Sequence, residues 1–280
     1  MFYLLKYLIQ MKILLTNNDL NEALLGNSNI GFVPTMGSLH KGHISLIRKS
    51  LIQCNKTIVS IFVNPTQFNN KNDYIKYPRN IKSDLKILKK LNVNFIFIPI
   101  KNQIYNSKNP IKIQLLKKDK ILCAKYRKGH FEGVIDVMTR LTKIVKPSKI
   151  YMGEKDFQQL ILVKRFIEKN FKSKIVSCKT IRDKNKLALS SRNLLLKKNN
   201  LIKAGKIAQN LISFKKRFLK KIISKKVILT KKKELKKKFN LNIEYLEIRN
   251  KKNLQPSYKI KNSKIFIAYY LNKIRLIDNF

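Results

Sequence analysis

Between residues 30 and 181 the chain alternates short apolar runs with longer stretches of helical period. Each run stops at a proline, a glycine or a polar cluster. That alternation is the pattern of a parallel sheet covered by crossover helices. Ile30, Gly31, Phe32 and Val33 read as a strand ending at Pro34, followed by a helix from His43 to about Gln53 with Ile44, Leu46, Ile47 and Leu51 on its apolar face. Residues 57–63 form a continuous β-branched and aromatic run, as expected of a strand buried on both faces, and Asn64-Pro65 ends it. A helix over 81–91 and a strand over 94–98 come next. Residues 131–145 repeat at helical spacing until Pro147. A short strand over 149–152 then turns at Gly153 into a helix carrying Leu160, Val163 and Ile167, and 174–181 predicts a further strand.

After about residue 182 the pattern changes. Leu201, Ala204, Ile207, Ala208 and Leu211 place a helix within 199–222, followed by a Lys-rich stretch over 215–238. Strand-like segments over 243–248, 265–271 and 274–277, joined by short polar turns, predict a small antiparallel sheet. The expected fold class is α/β. A Rossmann-like parallel-sheet domain spans 1–180, and a second, smaller, lid-like α+β C-terminal domain spans 181–280.

Composition bounds the partners more than the job. The formal charge of +47 comes from 62 Lys and Arg against 15 Asp and Glu, but only ten of the basic residues are Arg. A surface built to grip nucleic acid uses the bidentate fork of Arg. Here Lys is spread along the chain together with abundant Asn and Ile, a pattern of AT-rich codons. No specific nucleic-acid partner is expected. The alternative is a basic nucleic-acid-binding protein, with salt-sensitive adhesion to polyanions as its weaker form. Cys54, Cys123 and Cys178 stand far apart without CxxC or Cys/His pairing, which argues against a zinc site or a disulfide framework and fits a cytoplasmic location. Residues 1–10 are apolar but lack a cleavage site, and Met11 reads as an alternative start, with 1–10 an artefact of translation. No run approaches the roughly 18 apolar residues of a membrane span.

Four polar clusters follow apparent strands. The first is Met36-Gly37-Ser38-Leu39-His40-Lys41-Gly42-His43, between a strand and a helix. Helix N-termini at the carboxyl ends of parallel strands present free amides to anions, and two His three apart on the opening turn can face one phosphate. The second is Gly153-Glu154-Lys155-Asp156, with Gln159 one turn on; Lys155 is a mobile cation for phosphate. The third, Leu189-Ser190-Ser191-Arg192, offers two hydroxyls and a guanidinium for a polyphosphate. The fourth is Asn64-Pro65-Thr66-Gln67-Phe68, whose amides can hold a hydroxy acid. Each alone is compatible with a helix cap or a turn; together they describe a site for activating a carboxylic acid with ATP.

The strings at 33–43, 59–68, 129–134, 153–159 and 189–193, with Arg275-Leu276-Ile277-Asp278-Asn279 at the end, resemble the pantothenate synthetase family in order and spacing. His40-Lys41-Gly42-His43 is also a form of the His-x-Gly-His signature of the wider nucleotidyltransferase superfamily. The resemblance implies that (R)-pantoate attacks the α-phosphate of ATP to give pantoyl adenylate and diphosphate. β-Alanine then displaces AMP to give pantothenate. It implies that residues 36–43 wrap ATP, with His43 a proton donor and His40 a charge stabiliser. By the same resemblance Gly153, Glu154, Lys155 and Asp156 hold adenosine and phosphate, Lys155 being catalytic. Ile181 offers backbone contacts to adenine, residues 189–192 close over the triphosphate, Gln67 contacts both acids and Gln159 holds pantoate. Mg2+ accompanies ATP, with Asp84 the carboxylate placed to approach it, and the assembly is a homodimer. Three departures stand out: Lys41 for an acidic residue, Asn69 for Gly, and Asn185-Lys186 for Asp-Gly. Another nucleotidyltransferase of the superfamily is the enzymatic alternative.

Overall fold

In chain order the elements are β1 (Lys12–Leu14), α1 (Asn17–Leu24), β2 (Ile30–Thr35), α2 (Lys41–Gln53), β3 (Lys56–Ile61), α3 (Lys71–Ile75), α4 (Ile81–Lys90), β4 (Phe95–Phe97) and α5 (Lys101–Ile104). They continue with α6 (Cys123–Tyr126), α7 (His130–Val145), β5 (Lys149–Gly153), α8 (Phe157–Asn170) and β6 (Lys174–Cys178). The last are α9 (Lys198–Arg217), α10 (Lys225–Phe239), β7 (Asn242–Asn250), β8 (Ser263–Leu271) and β9 (Ile274–Asn279). The computed structural model describes residues 11–105 and 113–280, so the reading of residues 1–10 as an artefact lies outside it.

The first six strands pair in parallel in the order β1-β4-β3-β2-β5-β6. The chain winds outward from β2 through β3 to β4, then returns through α7 to lay β5 against the other side of β2. Strand order therefore reverses between β2 and β5. In an open α/β sheet that is where loops splay apart and a ligand crevice forms beyond the carboxyl ends. β2 and β3 are buried along nearly their whole length, which is why both read as continuous apolar runs.

The second sheet is antiparallel, β7-β8-β9, and its central strand is covered on both faces. Ile265, Ile267, Tyr269 and Leu271 of β8 face a core built with Ala204, Ile207 and Leu211 of α9 and Leu235 of α10. The alternate residues Phe266 and Ala268, with Tyr245 of β7, join the core of the parallel-sheet region. The period of two along one strand thus joins the two halves of the molecule.

Several boundaries differ from the sequence expectation. β2 runs through Pro34 to Thr35, because Pro34 lacks only a donor and the register with β3 continues through Thr35↔Ile61. The strand expected over 174–181 stops at Cys178; beyond it the chain forms a hairpin in which Leu189 N–H donates to Ile181 O at 3.0 Å. The helix expected to reach 222 ends at Arg217, and the Lys-rich stretch is a second helix, α10. Its buried stripe of Ile228, Lys231, Leu235 and Phe239 was hidden in the sequence by the surrounding lysines, and Ser224 caps it by accepting from Val227 N–H at 3.4 Å.

Candidate functional site

The corner after β2 is held from beneath. Thr35 Oγ1 donates to Ser60 O of β3 at 2.7 Å and accepts Gly37 N–H at 3.2 Å. Gly37 and Ser38 then take left-handed backbone (φ +77° and +54°), which turns the next two amides away from the cleft. Those amides, Ser38 N–H and Leu39 N–H, donate to the two oxygens of Asp84 at 2.7 Å each. Asp84 is 1% exposed on α4, and its carboxyl is pushed up by burial and pulled back by the two amides. Asp84, expected beside Mg2+, thus braces the loop with one hydrogen bond on each oxygen and lines a smaller cavity next to the cleft together with Gly37 and Met36.

His40 is the N-cap of α2. Its Nδ1 accepts Gly42 N–H at 3.1 Å, and His43 Nδ1 accepts His40 N–H at 3.3 Å. An acceptor Nδ1 requires the proton on Nε2. Both rings are therefore neutral Nε2–H donors with centroids 4.1 Å apart. Burial, then the Lys155 charge, pushes His40 down to about 4; burial, then His40, pushes His43 down to about 3. The glycine between them is required by space, since a Cβ on Gly42 would lie 2.7 Å from His40 Cε1 and 2.8 Å from Nδ1. Lys41, between them, is exposed and outside the cleft wall.

At the end of β5 a 3-10 turn, Glu154–Asp156, leads into α8. Lys155 Nζ lies 3.4 Å from Asp156 Oδ1, with the side chains 18% and 45% exposed. Burial opposes ionisation of Asp156, but the Lys155 ammonium and then Arg192 outweigh it and hold the carboxyl low. Opposite, Ser191 Oγ donates to Ser38 O at 3.1 Å, bringing the 190–192 segment onto the corner. Arg192 reaches across to Asp73 at 2.8 Å, 6.0 Å from the Tyr77 ring centroid.

Gln67 is held by Asn64 and Met36, which the sequence singles out, and by Arg127 and His130, to which the sequence assigns no role. Its side chain is fixed by Asn64 Nδ2, which donates to Oε1 at 3.3 Å, and by Met36 Sδ, which accepts from Nε2 at 2.9 Å. Its carbonyl accepts from His130 Nδ1 at 2.7 Å and from Arg127 Nη2 at 3.3 Å. With its proton on Nδ1, His130 accepts Arg127 Nη1 at 2.9 Å through Nε2. Burial, then Arg127, lowers His130 to about 3; burial, then Arg192 and Arg275, lowers Arg127 to about 10. Among the described residues Arg127 meets no carboxylate. The string Gly129-His130-Phe131-Glu132-Gly133 was the available signal for this corner, but nothing in it shows that His130 turns back onto Gln67.

These groups share one cleft of about 910 Å³. Met36, His40, Gly42, His43, Gln67 and Gln159 line it. So do Gly153, Lys155, Asp156, Ile181, and Leu189 through Arg192. Gly37, Ser38, Leu39, Lys41 and Glu154, expected at the nucleotide, do not: the first three belong to the loop turned onto Asp84, Lys41 faces solvent, and Glu154 meets Lys264 at 3.4 Å. No three His, Cys, Asp or Glu side chains among the described residues converge as a metal site.

Known proteins share this architecture. The family model for pantoate-beta-alanine ligase matches residues 11–280. A pantothenate synthetase of Azobacteroides pseudotrichonymphae genomovar. CFP2 is 41% identical over 96% of this chain and 99% of its own. The crystal structure of pantothenate synthetase from Thermus thermophilus superposes with a TM-score of 0.90 at 31% identity, covering 96% of this chain and 99% of that one. A pantoate-beta-alanine ligase from Francisella tularensis, solved with beta-gamma ATP and beta-alanine, gives 0.81 at 38% identity, covering 96% and 97%. The strand order, the corner at His40 and His43 and this agreement over nearly the full length together show that the chain belongs to the pantoate-beta-alanine ligase family.

Proposed function

We propose that the cleft condenses pantoate with β-alanine at the expense of ATP, through a pantoyl adenylate, and releases AMP and diphosphate. The observation that carries this reading is the convergence of His40, His43, Lys155 and the 190–192 segment at the carboxyl ends of β2 and β5, the strands that flank the reversal. ATP lies along this line, its adenine against Ile181 and its phosphates between the two Nε2–H donors, Lys155 and Arg192. The neutral imidazoles act as hydrogen-bond donors to charge growing on the bridging oxygen as diphosphate leaves, an effect of preorganised dipoles. Gln67 and Gln159 hold pantoate so that its carboxylate oxygen faces the α-phosphorus. Chemistry of this kind is mostly positioning.

β-Alanine brings a carboxylate that must be matched while its amine attacks the acyl carbon. The half-buried Arg127 guanidinium beside Gln67 supplies that match. Mg2+ bound with ATP would neutralise phosphate charge. Asp156, one of the carboxylates lining the cleft, would be a ligand. No cage of three His, Cys, Asp or Glu side chains forms among the described residues, and no step here is assigned to the metal. A boundary near residue 180 is supported by the parallel sheet ending at Cys178 and by the second core starting at Leu187. A homodimer and a cytoplasmic location are supported by the family resemblance and by three unpaired cysteines.

Purified protein is expected to release AMP from ATP only when pantoate and β-alanine are both supplied. Equal release with unrelated acids, or AMP retained on the product, would assign the cleft to another nucleotidyltransferase.

A further inference from the structure

The end of the chain reaches into the site. Asn279 is 3% exposed, and its Nδ2 donates to two successive carbonyls of the turn before α8, Glu154 O and Lys155 O, at 2.8 Å each. Its Oδ1 is buried without a partner, so the amide acts in this structure as a double donor. The neighbouring Asp278 takes both arms of Arg182, at 2.7 and 2.8 Å. Arg182 also donates to Asn279 O and to Lys186 O, at 2.9 Å each. Phe280 closes the register by exchanging backbone hydrogen bonds with Ile265 at 3.0 and 3.1 Å.

Two parts of the site meet here. One is the turn that carries Lys155 and Asp156. The other is the hairpin from Ile181 to Leu189, which leads directly into Ser190, Ser191 and Arg192. Buried carbonyls need donors, and this turn receives its two from a side chain 124 and 125 residues away, on the antiparallel sheet.

We propose that Asn279 is a positioning residue for the ligase reaction: it fixes the Lys155 turn against the 181–192 segment, and so sets the gap across which the triphosphate is held. This rests on the reading of Lys155 as a phosphate contact. It accounts for a buried amide with both donors used and its acceptor idle, and for the ion pair beside it that anchors the same terminus to the opposite wall. Asn279→Asp keeps the shape but has no donor, and it faces two carbonyl oxygens with a carboxylate. Asn279→Ala removes the donors and leaves room for water.

The test uses the full chain. ATP affinity is measured by calorimetry, and AMP release is followed while each substrate is varied in turn. Asn279→Asp is expected to weaken ATP binding roughly 30-fold or more and Asn279→Ala roughly tenfold, with KM for β-alanine unchanged. The wild-type AMP assay tests the ligase reading by itself, whereas the difference in ATP affinity tests the positioning role. ATP affinity within twofold of wild type in Asn279→Ala overturns the proposal. So does an equal rise in all three KM values, wild-type protein that does not bind ATP, or failure of both variants to fold, because a general structural contact then explains the residue.

Discussion

Arg192 Nη2 and Asp73 Oδ2, 119 residues apart in the chain, meet at 2.8 Å across the mouth of the cleft. The partners are 28% and 39% exposed, so the pair contributes on the order of 0–1 kcal/mol to the fold. The same guanidinium is the cation proposed for the triphosphate, so Asp73 competes with ATP for it. Asp73→Asn is expected to tighten ATP binding roughly two- to fivefold, with thermal stability changed by less than about 0.5 kcal/mol. A calorimetric titration decides it, and weaker binding would mean that Asp73 orients Arg192 instead of restraining it.

The histidines give a pH signature. His40, His43 and His130 are held at about 4, 3 and 3, below the ordinary 6.5. In the unfolded chain they take up protons near pH 6.5, but in the folded chain they do not. Stability from them is thus fully present above about 6.5 and declines as pH falls toward their folded values. Since these are the only histidines in the chain, ring NMR signals are expected to stay neutral from pH 8 down to 5.5. A titration midpoint near 6.5 at His40 or His43 would remove the neutral-donor assignment.

Gly42 separates packing from chemistry. A methyl group there pushes the His40 ring from its place on the helix N-terminus. Alanine in the first turn of α2 is also a better helix former than glycine. Gly42→Ala is expected to lower kcat/KM for ATP roughly 100-fold while the melting temperature holds or rises. An active variant would show that the fold-back of His40 onto Gly42 is dispensable.

Lys186 sits at φ +71°, a region that costs a side chain roughly 1 kcal/mol or more, where the family resemblance expects glycine. Its neighbour Asn185 packs on Gly205 of α9 and accepts Gln209 Nε2–H through its carbonyl at 3.2 Å, which ties the hairpin tip to that helix. Lys186→Gly is expected to stabilise the protein by roughly 0.5–1 kcal/mol, net of the greater freedom of glycine when unfolded. Chemical denaturation measures this directly, and a loss of stability would show that the strain is absorbed elsewhere.

Much of this protein was legible from local pattern. Buried strands such as β2 and β3 must be apolar along their length, and amphipathic helices such as α7 must repeat at their own period. The corner at residues 36–43 is likewise local, because His40, Gly42 and His43 arrange one another within a single turn. The α10 stripe was obscured because buried Lys231 and the lysines around it carry the same letter.

Other features were decided only in three dimensions. Asp84 meets the amides of Ser38 and Leu39, a partnership across 46 and 45 residues that no local pattern announces. His130 and Arg127 came to hold Gln67 because α7 packs beneath the turn Pro65–Gln67, and no spacing in the sequence encodes that. Asn279 reached the Lys155 turn because β8 is buried on both faces and draws the second sheet onto the first core. Local sequence fixes the period and termination of each element, since these depend on neighbours a few residues away. Which buried donor meets which acceptor depends on how the layers stack, and only the packed whole decides it.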